Sequence, residues 1–139
     1  MAVQLEIVSK SSVRYVTVCG FAYAQYKARF GIELETYPDV FVVATIDEVI
    51  VGCFGATYGH STACLTTEAY LQDQHKRSLC KKRVWNHNRS LITEIGTRVV
   101  CLPEHSSVNS VTLSLALSTA LLLYIATQNA RYVLSLIHI

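Results

Sequence analysis

Charge is scarce in this sequence. Only 16% of its 139 residues are charged, and 12 lysines and arginines against 10 acidic residues leave a net charge of +2. Nucleic-acid binding needs a dense basic stripe, so this balance argues against it, and any basic function has to be local. Paired cysteine spacing is missing too. Cys19, Cys53, Cys64, Cys80 and Cys101 are odd in number and never form Cys-x-x-Cys, the pattern of reduced thiols in a cytosolic protein rather than of a disulfide framework. His60 and Cys64 stand four apart, but with no second ligand pair they do not amount to a metal site. There is no Gly-x-Ser-x-Gly elbow, and Cys53 has no activating histidine near it in sequence, so covalent nucleophilic catalysis is not expected. The first twelve residues carry Glu6 and Lys10 and lack the continuous apolar centre of a secretion signal. No internal repeat or low-complexity linker interrupts the chain.

What is abundant is apolar side chain. At 51% hydrophobic residues and 15.5 kDa, the chain is sized for one domain with a substantial core. Residues 3–8 alternate as a strand does, and Ser11 and Ser12 are good helix N-caps. Val13, Val16, Phe21, Tyr23, Tyr26 and Phe30 then return at helical spacing, with Gly31 as the stop. After the break at Tyr37-Pro38-Asp39, two β-branched runs at 40–46 and 49–57 flank Asp47-Glu48 as an antiparallel hairpin, whose polar turn leaves room for a slightly longer loop. Gly52 and Gly55 in the returning strand mark a bulge, a close approach beside a ligand, or plain packing. Thr66-Thr67-Glu68 opens a helical segment reaching about Arg83, with a basic side of His75, Lys76, Arg77, Lys81, Lys82 and Arg83. That side is either a solvated face or a dock for an acidic partner or lipid headgroups. A strand at 90–102 follows, then a long helix within the uncharged stretch 106–130 and a last strand from Arg131. The order describes an α/β layered domain around a mixed sheet. A strand feeding a buried helix places backbone N–H groups, and any anion they hold, at the strand's carboxyl end.

Specific segments extend this reading. Tyr26-Lys-Ala-Arg-Phe-Gly31, the hairpin at 40–57, Leu65-Thr-Thr-Glu-Ala-Tyr-Leu71, and Thr93-Glu-Ile-Gly96 before the long apolar helix occur in an order that resembles the thermostable haemolysin (thermostable hemolysin) family. That family is similar in fold to the Gcn5-related N-acyltransferases (GNAT) and the acyl-homoserine lactone synthases. The resemblance covers most of residues 12–133. It implies a GNAT-like mixed, mostly antiparallel sheet flanked by helices, in a cytoplasmic bacterial protein. It also implies acyl transfer to a small-molecule amine from a co-substrate thioester, acyl-CoA or acyl carrier protein, with no tightly bound cofactor.

On that resemblance Glu94, mid-strand among apolar neighbours, becomes the candidate base, its alternative being a sheet-edge carboxylate or a partner of Arg98. Glu68 and Tyr70 would line the acceptor side, with Tyr70 as acid for the leaving thiolate, against an alternative of packing and solvent contact. The backbone of Gly96, Val99, Val100 and Cys101 would pair with a pantetheine arm, whose phosphate would face N–H groups near Ser106, Ser107 and Asn109. Either serine is equally an ordinary N-cap. Lys76, Arg77, Lys81, Lys82 and Arg83 would meet an acyl carrier protein. The chain departs from the family twice. Thr97-Arg98 stands where asparagine and small residues are common, and residues 103–109 replace the glycine-rich pyrophosphate loop of acetyl-CoA enzymes.

Two other functions compete. A membrane-active protein is suggested by the family's name and by the uncharged length of 108–128, close to the roughly twenty residues that span a bilayer. Ser110, Thr112, Ser114, Ser118 and Thr119 soften that stretch, and no basic cluster flanks it, which suits a helix covered by the sheet on one side and by other helices on the other. The third candidate is a module that binds an acyl donor without catalysis. Finally, Leu134-Ser-Leu-Ile-His-Ile139 matches the translation of a transposase-end sequencing adapter. The expected domain is therefore 1–133, lacking its C-terminal strands and helix, with 134–139 as read-through.

Overall fold

The computed structural model describes residues 2–62, 64–67, 89–128 and 130–135. They form strand β1 (Val3–Ser9), helix α1 (Tyr15–Phe30), strands β2 (Val40–Ile46) and β3 (Val49–Tyr58), a short 3-10 turn (Arg89–Leu91), strand β4 (Ile92–Val100), helix α2 (Ser110–Thr127) and strand β5 (Tyr132–Ser135). The strands make one five-stranded sheet in the order β1-β2-β3-β4-β5. Neighbours are antiparallel from β1 to β4, and β5 runs parallel to β4 after the crossover through α2. This is the α/β domain around a mixed sheet that the order of apolar patterns implies, and the sheet is mostly antiparallel, as the resemblance implies.

Strand β2 is buried along its whole length because both faces of the sheet are covered. Val40, Val42, Ala44 and Ile46 meet Leu113, Leu117, Leu121 and Ile125 of α2, while Phe41 and Val43 meet Val18 and Ala22 of α1 together with Val8, Cys53 and Val99. The four α2 residues recur every fourth position and lie on one stripe of the helix. On its outer side Val111, Leu115, Leu122 and Leu123 are exposed. The expected second cover by other helices is thus not found among the described residues, because only the sheet packs on α2 there. The helix is long and apolar enough to cross a membrane by length and composition. Its stripe packed on β2 nevertheless does what a sheet-covering helix does.

Both helix starts differ from expectation. Arg14, not Ser11 or Ser12, is the N-cap of α1 and makes no side-chain cap, while the Ser12 hydroxyl accepts from the Arg14 N–H at 3.2 Å. At α2 the cap is Asn109, whose Oδ1 accepts from the N–H groups of Val111 at 2.8 Å and Thr112 at 3.4 Å. Its carboxamide reaches two orphan donors that a serine further upstream cannot reach.

The β2–β3 turn is the tight two-residue kind, with Asp47 at φ 50° and Glu48 at φ 69°. Both sit in the left-handed region that twisted hairpins demand and that Asn-Gly enters at little cost. The glycines of β3 lie at register shifts in its pairing with β2 and β4 and are also closely packed by the chain itself. A Cβ on Gly52 would lie 3.1 Å from Leu117 Cδ1, and one on Gly55 would lie 2.2 Å from Pro38 Cγ. Tyr15 helps seat Pro38 by donating its hydroxyl to the Pro38 carbonyl.

Two outcomes follow for stability. Replacing Asp47-Glu48 by Asn-Gly is expected to add about 1 kcal/mol, seen as a higher urea midpoint at unchanged slope. Gly55→Ala drives a methyl into Pro38 and should remove about 1–3 kcal/mol by the same measurement.

Candidate functional site

Across one end of the sheet, register aligns Asp39, Thr57 and Glu94 with the loop that leaves β3. A surface loop has few backbone partners of its own, and here charged side chains supply them. Asp39 accepts from the Tyr58 N–H at 2.8 Å and from the Ser61 hydroxyl, and pairs with Lys10 Nζ at 2.8 Å. Arg89 donates from Nε to the Gly59 carbonyl at 2.8 Å and from Nη2 to the Thr62 carbonyl at 2.9 Å. Glu94, only 6% exposed, accepts from the Thr66 N–H at 3.1 Å, the Thr67 N–H at 2.6 Å and the Thr67 hydroxyl. Its carboxylate thus takes up two successive backbone amides from a segment distant in sequence. Burial alone would raise the Asp39 pKa, but Lys10, the Ser61 hydroxyl and the Tyr58 N–H outweigh it and hold the carboxyl below its ordinary value. His60 stacks on Tyr58 with centroids 5.5 Å apart, and Cys64 is exposed. No cluster of three metal-ligating side chains occurs among the described residues.

A second feature lies further along β4. Strand β5 pairs with Ile92–Ile95, and among the described residues no strand continues along that edge beyond Ile95. There a cleft of ≈ 570 Å³ opens between α1, β4 and α2. Phe54, Val99, Val100 and Leu102 give it an apolar floor, Ser110 and Ser114 approach from α2, and Arg29 and Arg98 bring two guanidinium groups. Arg29 sits in the last turn of α1, ended by Gly31 at φ 65°. Arg98 lies within a register shift in the β3–β4 pairing, next to Thr97 at φ 52°. Its N–H donates to the Tyr26 hydroxyl of α1 at 3.1 Å, tying the irregular part of the strand to the helix. A left-handed backbone costs a β-branched residue of order 1–3 kcal/mol, and such strain persists where surrounding contacts impose it. Two arginines and four apolar residues around one cleft suit a ligand with an anionic end and an apolar body.

The structure therefore gathers some of the anticipated residues and separates others. Val99 and Val100 line the cleft. Cys101 points its N–H inward to the Val51 carbonyl at 2.7 Å. Ser106 accepts from the Val108 N–H at 3.1 Å, Ser107 is an exposed loop residue, and Asn109 occupies two amides of the helix start with its own side chain. Glu94 is engaged by Thr66 and Thr67 and is not among the residues lining the cleft. Glu68, Tyr70, Lys76, Arg77, Lys81, Lys82 and Arg83 lie outside the described residues. The arginine pair was not anticipated. Arg98 carried the one available signal, a charge interrupting an apolar strand.

No family model matches the chain, and no curated protein sequence matches it. Among solved structures it is similar to the crystal structure of the AHL synthase LasI, with a TM-score of 0.63 and 14% sequence identity. The match covers 96% of this chain and 70% of that one, and the two share the GNAT-like fold.

Two measurements test this geometry. Because the folded Asp39 pKa is depressed, its stabilising contribution is present above the ordinary value of 3.8 and lost as pH falls through the lower folded one. Asp39→Asn should therefore flatten the acid limb of a stability–pH profile below about pH 4. Glu94→Gln turns an amide NH₂ toward donors and should cost about 1–3 kcal/mol in urea unfolding, while leaving the sheet intact by circular dichroism.

Proposed function

We propose that this chain transfers an acyl group from a phosphopantetheine thioester, carried by coenzyme A or by an acyl carrier protein, to a small-molecule amine. In this reading it is a cytoplasmic relative of the thermostable haemolysins. The observation that carries the proposal is the cleft at the open half of β4, cationic at Arg29 and Arg98 and apolar at Phe54, Val99, Val100 and Leu102. A thioester donor of this class has a matching order of parts: a phosphate, an amide-bearing arm and an apolar acyl chain. The likeness to an AHL synthase supports the reading through the fold.

In the reaction the acceptor nitrogen attacks the thioester carbonyl carbon, the C–N bond forms, and the C–S bond breaks. The proton lost from nitrogen passes to a base and finally to the leaving thiolate, so that amide and free thiol are the products. Glu94 is the assigned base. A carboxylate offers about four acceptor sites. Thr66 and Thr67 fill three of them, which leaves one for the amine proton and fixes the carboxylate's direction. Tyr70 is assigned as acid for the thiolate and Glu68 to the acceptor side, with Lys76, Arg77, Lys81, Lys82 and Arg83 meeting an acidic carrier protein.

Thiol release from acyl thioesters in the presence of primary amines, with the amide identified by mass, tests the activity. The absence of turnover with every donor would defeat it. Glu94→Gln is expected to lower kcat by about 10²-fold or more, whereas Thr67→Val, which keeps the carboxylate and removes one donor to it, should retain most of the activity. Equal losses in the two variants would move Glu94 from the chemistry to loop anchoring. Replacing Arg29 and Arg98 together by alanine should raise the donor KM about tenfold with a smaller change in kcat, and should weaken its dependence on salt.

A further inference from the structure

Regular alternation along β4 would put Ile95 and Val99 on the same face of the sheet. They lie on opposite faces. Ile95 packs against the cluster that holds Leu113, Leu117 and Leu121 of α2, whereas Val99 belongs to the cluster with Val18 and Ala22 of α1, and Val100 is again on the α2 side. The β3–β4 register supplies the reason. Cys53 pairs with Val99 and Gly55 with Gly96, so Thr97 and Arg98 together stand opposite Phe54. This is a β-bulge in β4, and a bulge re-aims the side chains that it carries.

An extra residue interrupts the ladder, and an amide displaced from it needs an acceptor from elsewhere. Tyr26 provides one. Its hydroxyl accepts from the Arg98 N–H at 3.1 Å, and its ring meets that of Phe30 edge-on, with centroids 5.5 Å apart. Three residues on from Tyr26, the same helix carries Arg29, the second arginine of the cleft. Helix α1 thus governs both arginines, one through its own backbone and one through a tyrosine hydroxyl. We propose that Tyr26 is the positioning residue of the arginine pair: its hydrogen bond to the Arg98 amide fixes the bulge against α1, so that Arg98 and Arg29 meet one phosphate of the donor together. This rests on the donor-binding reading of the cleft and adds the group that sets the spacing of its two charges. In this role the hydroxyl acts through Arg98 and not on the substrate.

The test is a calorimetric titration of the full chain with phosphopantetheine and with pantetheine, which lacks the phosphate. Wild type is expected to bind the phosphorylated compound more tightly. Tyr26→Phe keeps the ring and removes only the acceptor, and should weaken phosphopantetheine binding about three- to tenfold while changing pantetheine binding by less than about twofold. Tyr15→Phe removes a different α1 hydroxyl bond, the one to the Pro38 carbonyl, and should leave both affinities unchanged. In an Arg98→Ala background the Tyr26→Phe loss should vanish, because no charge is left there to position. Undiminished phosphopantetheine binding by Tyr26→Phe, an equal loss for the two compounds, or losses that simply add in the double variant would each overturn the proposal and leave the acyl-transfer reading standing. If Tyr26→Phe does not fold, Thr97→Gly serves as the parent, since it relieves the left-handed strain at the bulge and the same comparison is read there. A wild-type chain that binds neither compound, or both equally, removes the donor reading and this one together.

Discussion

The packing of Leu113, Leu117, Leu121 and Ile125 against Val40, Val42, Ala44 and Ile46 is the interaction on which the rest of the architecture depends. Helix α2 is the crossover between β4 and β5, so wherever this stripe docks decides where β5 arrives. With α2 seated on β2 and β3, the described residues of β5 pair with Ile92–Ile95 of β4, and Val99 and Val100 further along β4 line the cleft. Truncating one of the buried leucines would be felt at the cleft as well as in the core, because cavity formation at such sites costs about 2–5 kcal/mol and shifts the helix that the cleft leans on.

The polar end of the sheet solves a different problem. Beyond the Gly59 N–H, which still donates to the Ile92 carbonyl, amides and carbonyls at and after the end of β3 are taken up by Asp39, Arg89 and Glu94. Two of these three are buried acidic residues, Asp39 just before β2 and Glu94 within β4. Their burial is tolerated because each is hydrogen-bonded to the same loop. The loop is thereby tied to β2, to the 3-10 turn before β4, and to β4 itself.

Much of this was legible in the sequence because it is written in local periodicity. The β-branched runs of β2 and β3, the uncharged apolar length of α2 and the alternation of β1 each name their element, and their order names a mixed sheet. What was illegible depends on partners distant along the chain. Glu94 stood out as a carboxylate in an apolar strand, yet its partners are Thr66 and Thr67, separated from it by 28 and 27 positions. The Arg98 amide meets Tyr26 across 72 positions, so the cationic pair it forms with Arg29 leaves no trace in spacing. The α2 cap went to Asn109 over the serines because a carboxamide two residues before Val111 reaches both exposed amides. Thr97 is instructive in another way. Its left-handed backbone is one that asparagine adopts more readily, and nothing in the local sequence announces it.

The parallel pairing of β4 with β5 bears on how the chain reaches this form. The β2–β3 hairpin joins neighbours in sequence, whereas setting Tyr132 beside Ile92 closes a loop that contains the whole of α2. The β1–β2 and β3–β4 pairings close loops of similar length, so among the described strands the hairpin alone is local. The border of the cleft is therefore assembled from contacts that are all distant along the chain, and a change far from Arg98 in sequence can reach it through any of those seams.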